Sequence, residues 1–279
     1  MTNRGPGLII TADDFGLHLS VNQAVERGHR EGVLSAASLM VAAPAAADAI
    51  ARAHACPSLR VGLHLVLADG PAMLPPNLIP DLVDAQGRFG NRMARDGARF
   101  FFLPRVRHQL GREIRAQFEA FAASGLPLDH VNTHKHFHLH PTILSMIIEI
   151  GRPFGLRAIR LPREAGAPRF LTPWLALLRR KLDDAGIAHN DYMIGIEHSG
   201  KFDEATLLDT LAHLPKEGIG EIYLHPALIS GSEIGASMPG YRHADEFAAL
   251  ISPRVRQALN QLSLHGLRLG GFSDLVGLT

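Results

Sequence analysis

Short apolar or β-branched runs recur near residues 7–12, 35–42, 60–66, 128–133, 157–161, 192–196, 219–225 and 267–272, and stretches of helical periodicity separate most of them. A strand that returns parallel to its predecessor needs a long crossover, and a helix is the usual one. Strand then helix, repeated about seven times, therefore commits the chain to a parallel sheet. Helices are expected from Ser20 onward, where Ser20 would cap and Gln23 stands at capping-box spacing, and at 44–55, 107–124, 141–153, 173–185, 203–214 and 244–264. Pro253 is expected to break the last of these. No glycine-rich dinucleotide fingerprint follows a strand, which favours a TIM-like (β/α) barrel over a doubly wound sheet. The expectation is one α/β domain spanning 1–279, with seven or eight mostly parallel strands and long rim loops at 67–106 and 227–243.

Composition excludes several function classes. A net charge of +1 gives no global reason to expect nucleic acid. The single cysteine, Cys56, rules out an internal disulfide framework and fits a reducing compartment. Four or five apolar residues precede the first acidic pair, too few for a signal-peptide core, and no run approaches the roughly 20 apolar residues of a membrane span. A cytoplasmic protein is expected, at most peripheral on the inner face of the cell membrane, with room for a homodimer. The anomaly is histidine, with 16 residues in all and five of them between 130 and 140.

In a (β/α) barrel the chemistry belongs at the C-terminal ends of the strands, and Asp13, Asp14, His64, His134 and His225 all fall at such ends. Asp13 and Asp14 directly follow the run Gly7-Leu8-Ile9-Ile10. Adjacent side chains at a strand end diverge, so one carboxylate can bind a metal while the other stays free as a base. One aspartate and two histidines suffice for a hydrolytic metal centre, whose open positions hold water and a substrate oxygen. A histidine on the far side, such as His225, can protonate a leaving group. Each element also has a plainer explanation. An aspartate pair can cap a helix, and a lone His64 can be a satisfied core histidine. Of His134, His136, His138 and His140, at most two need touch a metal, leaving the others as substrate contacts, supporting donors or exposed residues. Arg160 and Arg163 can bind an anionic group or form ordinary ion pairs.

Thr11-Ala12-Asp13-Asp14-Phe15-Gly16-Leu17 with Asn22, Val61-Gly62-Leu63-His64, Asn132-Thr133-His134-Lys135-His136-Phe137-His138 and His225-Pro226-Ala227 together resemble the YdjC-like carbohydrate deacetylases, the group that includes the chitooligosaccharide deacetylases. The resemblance covers nearly the whole chain. It implies one divalent metal ion, magnesium or zinc, on Asp14, His64 and His134, general-base work by Asp13 and a catalytic role for His225. His136, His138, Arg160 and Arg163 are the candidate substrate contacts. The chain departs at Thr133-His134-Lys135, where relatives commonly carry serine and a less basic residue. The segments 31–49 and 60–67 resemble a narrower, hopanoid-biosynthesis-associated branch. That likeness implies removal of acetate from N-acetylglucosamine carried on a hopanoid lipid.

Arg92, Arg95, Arg99, Phe100, Phe101, Phe102, Leu103, Arg105 and Arg107 form a basic, aromatic stretch, and Pro173-Trp174-Leu175-Ala176-Leu177-Leu178-Arg179-Arg180-Lys181 forms a second. Such stretches suit a membrane surface, although the phenylalanines could equally enter the core. Two rivals share the ligand set. A non-heme iron oxygenase also uses two histidines and a carboxylate, and a metal-holding pathway subunit would need no catalytic set.

Overall fold

The computed structural model describes residues 5–164, 171–231, 233–235 and 238–276, so residues 1–4 and part of the second rim loop lie outside the described residues. Six parallel strands form the path β4-β3-β2-β1-β6-β5: β1 (Gly7–Phe15), β2 (Ala36–Leu39), β3 (Arg60–Leu65), β4 (Val131–Thr133), β5 (Tyr192–Ile194) and β6 (Ile219–Leu224). A seventh, β7 (Arg268–Leu269), pairs with the start of β1. The expected strand near 157–161 is reduced to isolated parallel bridges, Ala158 to Ala188 and Ile159 to Val131. The crossovers include α1 (Leu19–Arg30), α2 (Ala46–His54), α4 (Pro104–Ala123), α5 (Pro141–Gly151), α6 (Thr172–Asp184) and α7 (Glu204–Ala212). The last long helical stretch is split into α8 (His243–Ile251) and α9 (Pro253–Leu264), and the Ser252 side chain caps the second half.

Three local expectations are corrected. His18, not Ser20, is the N-cap of α1, and the Ser20 hydroxyl instead accepts from the Ile229 N–H. The first rim excursion carries a helix, α3 (Met93–Phe102), and α10 (Phe272–Leu275) replaces the end of the last expected strand. Of the aromatic run, Phe100 is buried against Phe137 while Phe101, Phe102 and Leu103 face outward. Buried Gln109, Glu113 and Gln117 of α4 hold the excursion by its backbone. Glu113 accepts from Met73 and Leu74 N–H, and Gln117 both accepts from and donates to Val66.

The two-residue period of the strands separates two cores. Leu8, Ile10, Ala12, Ala37, Leu39, Val61, Leu63, Val131, Ile222 and Leu224 join the helices in one large apolar cluster. The opposite, concave face is layered. Ile9, Ala36, Ala158 and Ile219 pack with Phe272, Leu275 and Val276 at its floor. Above them lie Thr11, Ser38, His130, Asn132, Arg160 and Glu221, all polar and all fully buried. The site is built on that polar layer.

Candidate metal centre

Asp14 is brought to the concave face by a bulge. Between the pairs Ala12–Ala37 and Phe15–Leu39, two residues, Asp13 and Asp14, oppose the single Ser38, and Asp14 adopts the left-handed φ of 63°. That conformation costs a non-glycine residue about 1–3 kcal/mol, which the surrounding contacts must offset. Two carboxylates expected to diverge therefore converge. Gly16 completes the turn with φ +99, and a Cβ there would lie 3.0 Å from Met40 O. Asn22 fixes the turn from α1 by accepting from Gly16 N–H and donating to Ala45 O.

His64 stands near the end of β3 and His134 directly follows β4. Asp14 Oδ1 lies 3.3 Å from His64 Nε2 and 3.1 Å from His134 Nδ1, and one ligand atom from each residue lies within 4.8 Å of the others. Neither Asp14 oxygen has a hydrogen-bond partner, although both are buried. A buried carboxylate without donors is costly, and a cation held by one oxygen and two imidazole nitrogens would remove that cost. Burial opposes ionisation of Asp14, but the His134 and His64 rings hold its carboxyl well below the usual range.

Asp13 has a different environment. Burial opposes its charge too, but Arg160 outweighs it, with Nη1 2.6 Å from Oδ2 and Nη2 3.0 Å from Oδ1, and the carboxyl is held far below its ordinary range. Arg160 also binds Glu221 through Nε and Nη2, at 2.9 and 2.7 Å, and lies over the Tyr223 ring. Asp13 and Glu221 thus share one guanidinium, and Asp14 has none. A buried carboxylate without a cation of its own, beside two imidazoles, suits a divalent cation.

His225, directly after β6, has an unpartnered Nδ1, and burial pushes its imidazole down to about 4 against the opposing pull of Asp14 and Asp13. Its backbone is fixed on both sides. Glu246 accepts from its N–H at 2.5 Å, and its carbonyl accepts from His243 Nδ1 at 2.5 Å. Glu246 also accepts from the Phe202 N–H, and burial pushes its carboxyl up to about 8.

The expected substrate contacts fare unevenly. Arg160 is fully buried, with its guanidinium paired to both carboxylates, the ion-pair alternative of the two it was given. His138 is likewise internal, with Nδ1 on Thr133 Oγ1 at 2.8 Å and Nε2 on Arg160 O at 2.9 Å. Arg163 is exposed and donates to Asp191 O at 3.4 Å. His136 does face the site, with φ +54 and Nε2 3.1 Å from Tyr223 Oη. Sequence reasoning gave no role to Glu221, Tyr223, Glu246 or His243. The available signal was polar residues at every second position of apolar strands, as in Glu221, Tyr223 and His225.

The family described as YdjC-like protein matches residues 7–261. The chain belongs to the YdjC-like family. Among YdjC-like relatives, it is 31% identical over 274 residues to a carbohydrate deacetylase of Brevibacillus brevis, covering 96% of this chain and 99% of that one. It is 30% identical over 271 residues to a chitooligosaccharide deacetylase of Yersinia pestis, covering 96% and 98%. A solved structure from Enterococcus faecalis, provisionally named for cellobiose-phosphate cleavage, superposes with a TM-score of 0.78 at 25% identity, covering 98% of this chain and 100% of the other. The YdjC-like chain thus aligns with these relatives over nearly its full described length.

Proposed function

We propose that this chain is a metal-dependent N-deacetylase of an acetylated amino sugar. The observation that carries the reading is the pairing of an undonated Asp14–His64–His134 cluster with a second carboxylate, Asp13, that Arg160 keeps ionised. Relatives named as carbohydrate and chitooligosaccharide deacetylases support the same reaction class.

A divalent cation on Asp14, His64 and His134 would acidify water and polarise the acetyl carbonyl. That help is needed, because Arg160 makes Asp13 permanently ionised but a weak base. Asp13 accepts the proton of the attacking water, and His225 donates to the departing amine as the C–N bond breaks. His225 is neutral near pH 7, so the proton it delivers must come from the attacking water by way of Asp13. The Arg160–Asp13 pair also favours hydrolysis over an iron oxygenase with the same ligand set, for which a tethered spare carboxylate has no use.

The finer proposal is that the amino sugar is N-acetylglucosamine carried on a hopanoid lipid, with a chitobiose-type oligosaccharide as the second substrate class. Supporting it, Phe101 and Phe102 in the last turn of α3, Leu103 at its C-cap, and Trp174 and Leu177 on α6 are 50, 72, 45, 40 and 53% exposed. Both segments flank the turn that carries His134. Phe101 meets the His140 ring edge-on, and Trp174 Nε1 donates to Leu139 O. No helix among the described residues is long and apolar enough to cross a membrane, so such contact would be peripheral. The test incubates metal-loaded protein separately with acetylglucosaminyl hopanoid and with chitobiose and detects acetate and free amine by mass spectrometry. Acetate from neither substrate, with metal bound, would refute the deacetylase.

A further inference from the structure

His225 stands where the sheet stops supporting its backbone. The last pair between β1 and β6 is Ala12 with Leu224, because β1 then bulges at Asp13 and Asp14, and the last pair between β5 and β6 is Ile194 with Ile222. His225 follows, buried and past both ladders, and among the described residues no backbone group bonds to its N–H or C=O. Pro226, next in the chain, has no N–H to offer. A buried peptide in this state forfeits two hydrogen bonds unless side chains supply them.

One helix supplies both. His243 and Glu246 lie three residues apart on α8 and so share a face. Glu246 accepts from the His225 N–H at 2.5 Å, and His243 Nδ1 donates to the His225 carbonyl at 2.5 Å. A carbonyl can only accept, so that ring nitrogen carries a proton. The His243 carbonyl also accepts from the Ala227 N–H at 3.2 Å, so α8 grips the chain on both sides of Pro226. The other Glu246 oxygen accepts from the Phe202 N–H at 3.2 Å, which brings the segment after β5 into the same unit.

The helix is fixed from outside the site. Ala249 and Leu250 are fully buried in the large apolar cluster, and Arg27 of α1 lies over the Phe247 ring. The His225 ring is set separately, edge-on to Tyr223 at 5.5 Å and to Tyr241 at 5.1 Å. Tyr241 is held in turn. Its hydroxyl lies 2.9 Å from Ser199 Oγ, and a Cβ on Gly200, at φ +71, would collide with its ring. His225 Nδ1 is left without a partner inside this frame.

We propose that His243 and Glu246 are positioning residues that hold His225 by its peptide and so aim its imidazole at the leaving amine, a role that rests on the reading of His225 as proton donor in the deacetylase argued above. His243 Nε2 is buried and has no partner among the described residues, so the rival is direct contact of that nitrogen with the sugar. Substitution separates the two. An asparagine amide nitrogen reproduces the position of Nδ1, and a glutamine amide nitrogen that of Nε2.

The experiment measures acetate release from diacetylchitobiose and from acetylglucosaminyl hopanoid by full-length, metal-loaded protein, at a temperature where circular dichroism shows each variant folded. His243→Phe should lower kcat about 10- to 100-fold with KM within a few fold. His243→Asn should recover most of the loss, and His243→Gln should not. Glu246→Asp, which draws the carboxylate back by one methylene, should lower kcat in the same way. In a His225→Ala background neither His243→Phe nor Glu246→Asp should lower kcat further. If His243→Phe does not fold, His243→Gln against His243→Asn makes the same comparison. Wild-type kcat in His243→Phe overturns the clamp. A loss that appears in KM and is recovered by glutamine overturns it too, as does one that persists in full without the His225 imidazole. Failure of the underlying reading looks different: His225→Ala would itself turn over at the wild-type rate, or the wild type would release no acetate, and either result removes the step that the clamp serves.

Discussion

Arg160 Nη1 lies 2.6 Å from Asp13 Oδ2 with the guanidinium completely buried. The same guanidinium binds Glu221 at 2.7 Å, so one cation holds two strands' carboxylates in a single rigid unit. Removing it should separate folding from chemistry. Arg160→Met leaves two buried carboxylates unmatched and should cost about 3–5 kcal/mol in urea unfolding. Arg160→Lys keeps the charge but loses the fork that fixes both oxygens, so kcat should fall by up to about 10²- to 10⁴-fold with a smaller loss of stability. A lysine variant with wild-type kcat would show that the orientation of Asp13 is unimportant.

Asp13 and Asp14 are neighbours in sequence with different partners, so the roles proposed for them should separate on substitution. Asp13→Asn should lower kcat by about 10²-fold or more while the zinc dissociation constant stays within a few fold. Asp14→Asn should lose zinc binding itself, because the two imidazoles lose their carboxylate partner. Chelation of the wild type should abolish acetate release and lower Tm, since a ligand held at 100 times its Kd stabilises by about 2.7 kcal/mol. Unchanged acetate release from Asp13→Asn would remove that residue from the reaction.

Asp129 gives a pH dependence away from the metal cluster. Burial opposes its charge, but His130 and Ser273 hold its carboxyl down at about 2 against an ordinary 3.8. A depressed carboxyl contributes stability that is present above its unfolded pKa and lost as pH falls through the folded one. The window is therefore pH 4 to 2, and the contribution is about 2 kcal/mol at 1.36 kcal/mol per unit. The unfolding free energy of Asp129→Asn should fall less steeply than that of wild type across this window. Parallel curves in urea melts from pH 6 to 2 would contradict the assignment.

The exposed rim gives a fourth test. Phe102→Ser and Trp174→Ser should reduce co-sedimentation with vesicles containing anionic lipid, and leave turnover of a soluble acetylated oligosaccharide within a few fold. Trp174 also donates to Leu139 O, so Phe102, which makes no such bond, is the cleaner probe. Equal vesicle binding by Phe102→Ser and wild type would leave the aromatic rim without a membrane role.

Much of this site was legible before any coordinates. The elements of the sheet and most helices follow from hydrophobic period, because a buried strand and an amphipathic helix each leave a local imprint. Asp13, Asp14, His64, His134 and His225 were recognisable as candidates because metal-ligand residue types fell at strand ends, and the family resemblance then implied Asp14, His64 and His134 as the ligand set. Arg160 was left open between binding an anionic group and forming an ion pair, for a physical reason. Its sequence neighbours Leu161 and Pro162 look like a strand end near solvent, and nothing local reveals that its partners are Asp13 and Glu221, 147 and 61 residues away. The role of His138 was open similarly, since its partners Thr133 and Arg160 O meet only after the turn with left-handed Lys135 and His136 is formed.

The sequence by itself determined the alternation of strand and helix, the supply of metal-ligand residue types and the family, since each is carried by short-range pattern or by motif. Tertiary structure alone decided which partners those residues meet. A bulge between Ala12 and Phe15 turns two divergent carboxylates into one cavity. Arg160 then reaches one of them and leaves the other undonated. Which carboxylate is matched by a guanidinium, and which still lacks a cation, depends on contacts across the sheet. Electrostatic energies in a desolvated interior follow distance in space, and sequence records only distance along the chain.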